Sequence, residues 1–216
     1  TKSWNATAIA VGTDGVEAAL VVGTELFRGT IDGPGTKSVL SREGMLRPQF
    51  ARDGALWTIT TGGDVWRIEG EKAVEVRAPG LAGRTVLAFR ISPDGQRIAA
   101  VTSTNGIREV GLLRIERRTD LAVNGWRPVP LLLDTTPVVG PVDVGWSSTT
   151  SITVLAGVER PADVVEVDID GVVLHDDGRS DTWSASSMVV SARGSRKAVG
   201  DSEGSVWLYQ DSFQWR

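Results

Sequence analysis

One strand-turn-strand unit recurs five times along this chain of 216 residues, and a chain built that way has few folds open to it. The clearest copy is Leu87-Ala88-Phe89-Arg90-Ile91, the turn Ser92-Pro93-Asp94-Gly95, then Arg97-Ile98-Ala99-Ala100-Val101. The turn has a mechanism: proline presets φ, aspartate bonds its own backbone, and glycine accepts positive φ. Earlier copies run Ala8–Val11, Thr13-Asp14-Gly15, Ala18–Val22, and Leu46–Ala51, Arg52-Asp53-Gly54, Ala55–Ile59. Later ones run Val142–Trp146, Ser147–Thr150, Ser151–Leu155, and Ser187–Val190, Ala192-Arg193-Gly194, Lys197–Val199. Third strands follow at Asp64–Ile68 and Gly204–Tyr209.

The matched positions Ala10, Phe50, Phe89, Trp146 and Val190 are spaced by 40, 39, 57 and 44 residues. A period of about 40–45 residues with four strands per unit is that of a β-propeller. A lone four-stranded sheet cannot bury both faces, whereas blades stacked side by side can, and their central strands then read as almost unbroken apolar runs. A sandwich would not need five copies of one unit. The expectation is therefore all-β: one β-propeller domain over residues 1–216, of about five four-stranded blades, with a six-bladed or incomplete ring as the alternative. The longest spacing holds Trp126–Leu133, read as a long outer strand with its loop; Pro128 and Pro130 suit an edge, because proline cannot donate to a ladder. The Gly/Pro-rich stretches Thr30–Lys37 and Thr135–Pro141 fall inside repeats and read as loops.

Composition narrows the chemistry. The formal charge of −4 offers nothing to a polyanion, so no nucleic-acid partner is expected. Arg114, Arg117 and Arg118 cluster, but Glu116 and Asp120 sit among them, as on a solvated strand end. With no cysteine, disulfides, zinc-thiolate sites and thiol nucleophiles are excluded within these residues. No apolar run is long enough to span a bilayer, and Thr1-Lys2-Ser3-Trp4 has no signal-peptide pattern.

Catalytic constellations are hard to assemble. The single histidine, His175, sits where Gly171–Leu174 runs into Asp176-Asp177-Gly178, and reads as a surface residue of a hairpin loop. No Gly-x-Ser-x-Gly elbow and no phosphate-binding glycine motif occurs. The Asp-Gly pairs at Asp14, Asp32, Asp53, Asp94, Asp170 and Asp177 lack the spacing of a calcium loop and read as hairpin turns, so neither metal nor cofactor is expected. Some five-bladed propellers are glycosidases, which need paired acids aimed into the central funnel. Across the five innermost strands, taken as the first of each repeat, Asp143 is the lone carboxylate, with Asp181 somewhat ahead of the last; Arg47 and Arg84 occupy similar entry positions. These four residues are the candidate binding residues at the channel entrance. Of the eight tryptophans, Trp57, Trp66, Trp146 and Trp207 lie in strands and read as packing between blades. Trp183 precedes a strand and is a candidate interface residue, as are Trp4 and Trp215 near the ends.

Several of these runs, in order, resemble the propeller region of the LpqB lipoproteins of actinobacteria. They are Leu46-Arg47-Pro48-Gln49-Phe50 with Asp53–Trp57, Phe89 to Ala99, Val142-Asp143-Val144-Gly145-Trp146-Ser147, and Gly204-Ser205-Val206-Trp207. The resemblance implies the C-terminal part of an exported lipoprotein, extracytoplasmic and tethered to the cell membrane by a lipid anchor outside this chain. It implies a GerMN-like domain ahead of the propeller, absent here, and no catalytic residues. It also implies a partner: the extracytoplasmic domain of an MtrB-type sensor histidine kinase, whose two-component signalling the lipoprotein modulates. The expected function is thus a non-catalytic protein-interaction module, not an enzyme. The alternative is a carbohydrate- or small-ligand-binding, glycosidase-like propeller, and a purely structural scaffold for the missing domain is a third reading.

Overall fold

The computed structural model describes residues 5–31, 36–117, 121–133, 136–157, 162–180, 185–191, 196–201, 203–210 and 213–215. The described chain is built of strands, with one short 3-10 turn at Pro79–Leu81. Blade 1 comprises β1 (Ala8–Val11), β2 (Glu17–Val22), β3 (Glu25–Thr30) and β4 (Lys37–Ser41). Blade 2 comprises β5 (Gln49–Phe50), β6 (Leu56–Ile59), β7 (Val65–Glu69) and β8 (Lys72–Val76). Blade 3 is β9 (Thr85–Ile91), β10 (Arg97–Thr104), β11 (Ile107–Arg117) and β12 (Leu121–Pro128), followed by a small hairpin of β13 (Leu132–Leu133) and β14 (Thr136–Pro137). Blade 4 has β15 (Pro141–Trp146), β16 (Ser151–Ala156), β17 (Ala162–Asp168) and β18 (Val173–Ser180), and blade 5 has β19 (Ala185–Val190), β20 (Arg196–Asp201), β21 (Val206–Gln210) and β22 (Phe213–Trp215). Within each blade the four strands are hydrogen-bonded in sequence order, and the ladders are antiparallel. The fold is a five-bladed β-propeller, as the repeat predicts.

The strands group into two compact units, residues 1–86 with 115–124 and residues 87–114 with 125–216. In the first, Ala19, Val21, Leu26 and Leu40 of blade 1 pack with Leu56, Trp66 and Ile68 of blade 2. Arg28 on β3 reinforces this contact. Its guanidinium meets Glu17 at 2.8 Å, donates to the carbonyl of Gly54 at 3.3 Å and lies 5.5 Å from the centre of the Phe50 ring. In the second unit, Ala99, Val101, Val110 and Leu112 of blade 3 pack with Trp146, Ile152, Val154 and Val165 of blade 4. Leu155 and Val164, on the other side of blade 4, then meet Met188 and Val199 of blade 5. Blade 4 is therefore apolar on both faces, which is why β16 is buried along its whole length. Each such aliphatic side chain removed from water contributes about 1.5–3 kcal/mol.

The turns obey the rule read from the sequence, with additions. Asp14, Asp53 and Asp94 each accept a hydrogen bond from the backbone N–H two residues on, and the following glycines have φ of 71°, 77° and 67°. Asp168 does the same work between β17 and β18, accepting from Asp170 and Val172, and Asp201 between β20 and β21, accepting from Glu203 and Ser205. In the first of these the Asp-Gly pair at Asp170 is the turn, but the bonding acid is two residues earlier. Asp32 lies outside the described residues.

Three expectations are corrected. Leu46–Ala51 yields only the two-residue strand Gln49–Phe50, because the pairing slips by one residue ahead of it: Met45 bridges Thr60 and Leu46 donates to Ile59, out of register with the Gln49–Trp57 pair. The outer strand of blade 3 begins earlier than Trp126 and stops at Pro128, while Leu132 and Leu133 belong to a separate hairpin; Val129, between two prolines, donates the last ladder bond to Val110. Asp176-Asp177-Gly178 is not a turn. It lies inside β18, where one register shift, between the Asp163–Arg179 and Val165–Asp176 pairs, absorbs it, and His175 sits opposite Glu166 in that ladder.

Candidate functional site

The most developed polar cluster on the inner strands is built around Asp143. A register shift between Pro141 and Asp143 in β15 leaves Val142 as the extra residue and sets Asp143 opposite Leu155, on the side of blade 4 that meets blade 5. There one carboxylate oxygen accepts from the Met188 N–H at 2.8 Å and the other from its neighbour Val144 at 2.8 Å. The guanidinium of Arg90, on β9, approaches both oxygens at 3.1 Å. Arg90 also donates to the carbonyls of Phe89 at 2.7 Å and Met188 at 3.2 Å, and its own carbonyl accepts from the Trp146 indole N–H at 2.9 Å. Asp143 and Arg90 are only 5% and 9% exposed.

Chemically this is a clamp. The carboxylate is bound on both oxygens by backbone N–H groups and an arginine, so its accepting positions are occupied by protein donors and its orientation is fixed. It ties together the first strands of blades 3, 4 and 5. Close approach is completed by Gly145, where an added Cβ would fall 2.3 Å from Val190. A second, less buried link joins blades 4 and 5: Lys197 lies 3.4 Å from Glu166, which also accepts from the Ser151 hydroxyl at 3.1 Å.

Arg47 is half-buried in the loop before β5, and Arg84 is half-buried immediately before β9. Thr61 donates to the carbonyl of Gly44 and accepts from Val86, so the loops that carry these two arginines flank one turn in the first unit. Asp143 belongs to the second unit, and its partner is Arg90. Asp181 and Trp183 lie outside the described residues, as does Trp4, and nothing is described of the Trp215 side chain. Trp57, Trp66 and Trp146 are buried, and Trp207 packs partly buried beside Met188 and Val199. Arg90 is the functional residue that strand pattern alone does not single out. Its signal is a lone charge within the apolar strand Val86–Ile91.

Comparison with known proteins agrees with this geometry. The sequence model described as the lipoprotein LpqB beta-propeller domain matches residues 2–216. The chain belongs to the LpqB β-propeller family. A curated relative, Lipoprotein LpqB of Cutibacterium acnes, is 25% identical over 181 residues, covering 80% of this chain. The chain spans only 30% of that relative's length. Among solved structures, Kuenenia stuttgartiensis hydrazine synthase matches with a TM-score of 0.72 at 14% identity, over 98% of this chain and 64% of the other. The β-propeller domain of Cps50 (Swd1) from Myceliophteria thermophila matches at 0.69 and 11% identity, over 97% and 66%. TolB from Acinetobacter baumannii matches at 0.57 and 16% identity, over 95% and 45%. These likenesses are of fold alone. No helix among the described residues is long and apolar enough to cross a membrane.

Proposed function

We propose that this LpqB-family propeller is a non-catalytic interaction module of a membrane-anchored, extracytoplasmic lipoprotein, and that its partner is the extracytoplasmic domain of an MtrB-type sensor histidine kinase. The family match over residues 2–216 carries the reading. The Arg90–Asp143 clamp supports its non-catalytic part. The one carboxylate on the first strands that could have served a glycosidase is buried and spent on structure. The mechanism is binding: the propeller biases the kinase only if it contacts one signalling state more strongly than the other. A lipid anchor and a GerMN-like domain ahead of the propeller would hold the module close to its partner at the membrane face.

The test is a titration of the purified kinase sensor domain with the full-length lipoprotein and with the propeller, read by calorimetry. Saturable binding by either is expected. Failure of both to bind would sink the kinase reading.

A further inference from the structure

Asparagine followed by glycine can modify itself, and the chain has two such pairs, Asn105-Gly106 and Asn124-Gly125. The glycine nitrogen attacks the side-chain amide carbon of the asparagine, and the absence of a Cβ on glycine leaves that approach open. The reaction needs an amide that can turn and a backbone N–H that is not already engaged. The fold treats the two pairs differently.

Asn105 and Gly106 make up the whole loop between β10 and β11, because the last ladder pair is Thr104 with Ile107. Their φ values are 52° and 80°, the positive values of a tight two-residue hairpin loop, and Asn105 is the one non-glycine residue with positive φ among the described residues. Both are exposed, and a Cβ built on Gly106 would meet no atom within 4 Å. Among the described residues no hydrogen bond holds the Gly106 N–H or the Asn105 amide. Asn124, by contrast, is half-buried inside β12, and its amide nitrogen donates to Glu116 at 3.0 Å. The Asp-Gly turns are guarded as well: the N–H of Gly15, Gly54, Gly95 and Gly171 each donates to the carbonyl three residues back, at 2.8 to 3.0 Å.

We infer that Asn105 is a site of spontaneous deamidation in the folded protein, with water as the only co-reactant. The Gly106 nitrogen forms a bond to Cγ of Asn105, and the Cγ–Nδ2 bond breaks. Nδ2 leaves as ammonia, taking the proton that Gly106 gave up. Water then opens the succinimide ring at either carbonyl and leaves aspartate or isoaspartate. Either product adds a negative charge to this end of blade 3. Isoaspartate also routes the backbone through one more carbon, in a loop that the Thr104–Ile107 pair closes over two residues. The inference is independent of the kinase reading, because it uses only the chemistry of this turn.

Peptide mass mapping of the full-length protein, aged in its native state at mildly alkaline pH, tests it. Asn105 should convert about tenfold or more faster than Asn124, since a hairpin tip opens at less cost than a position inside a ladder. In guanidinium chloride, where neither pair is held, the two rates should become similar. No conversion at Asn105 in the native protein, or equal native rates at the two pairs, would overturn the inference. So would a preference for Asn105 that persists unchanged in denaturant, because it would then come from the neighbouring sequence and not from the fold. Isoaspartyl methyltransferase supplies a second reading. Asn105→Gln should remove most of the isoaspartate that this enzyme counts in the aged native protein; an unchanged yield would also overturn the inference.

Discussion

Arg90 and Asp143, 53 residues apart in sequence, form a buried ion pair with 3.1 Å between guanidinium and carboxylate, and the backbone of Met188 both donates to the acid and accepts from the arginine. Three blades meet at that point. Removing one partner strands the other charge away from water. Asp143→Leu or Arg90→Met alone should therefore destabilise the fold by about 3–5 kcal/mol, while the double variant should cost less than the sum of the two. Urea denaturation of the four proteins in a double-mutant cycle measures the coupling; additive effects would show that the pair acts independently.

Gly145 and Gly111 are contact glycines. A methyl group at Gly145 would meet Val190 at 2.3 Å, and one at Gly111 would meet the Trp126 ring at 2.3 Å. Gly145→Ala and Gly111→Ala should each cost about 1–3 kcal/mol by overpacking. Gly62→Ala, whose new methyl would find only ordinary contacts from 3.7 Å outward, should change thermal stability far less.

Arg28 and Lys37 are both paired in blade 1 and should behave differently. The Arg28 side chain is 12% exposed, bonded to Glu17 and to the Gly54 carbonyl, and stacked near Phe50. The Lys37–Glu71 pair is open to solvent on both sides. Lys37→Ala should cost under about 1 kcal/mol and Arg28→Ala more, measured as shifts in the denaturation midpoint. Equal losses would contradict the assignment of Arg28 as a link between blades.

Acid should loosen specific turns. Backbone N–H groups of Val16 and Glu17 hold Asp14 below the ordinary 3.8, and the hydroxyls of Ser38 and Ser41 hold Glu25 below 4.5. At Asp201 burial pushes upward but is outweighed by N–H donors of Ser205 and Glu203. A depressed native pKa means that the unfolded chain binds protons first. The contribution of each group is thus complete above the ordinary carboxylate values and is lost as pH falls through the lowered native ones. Asp14→Ala with Asp201→Ala should reduce stability at pH 7, and the gap from the parent should close as pH drops below that window. A gap that stayed constant with pH would refute the linkage.

Much of this was legible in the sequence. The recurring unit gave the blades, because alternation and turn chemistry are local. Asp14, Asp53 and Asp94 could be read as turn formers for the same reason. Where composition misleads, the cause is the ladder: Asp176-Asp177-Gly178 has turn composition, yet the pairing of β17 and β18 holds it extended by bulging, and a one-residue slip between Leu46 and Gln49 shortens a strand whose pattern is otherwise sound. Asp143 stands out in the sequence as the one acid of the first strands, whereas Arg90 is only a single charge in an otherwise apolar strand.

Local sequence thus determined that this chain forms five four-stranded antiparallel blades, since strand periodicity and turn geometry are decided within a few residues. Only the tertiary structure decided what Asp143 is for. Its partners, Arg90 and Met188, arrive from strands far away in the chain, and whether a carboxylate serves a ligand or a clamp depends on which groups the packed blades bring within 3.1 Å of it.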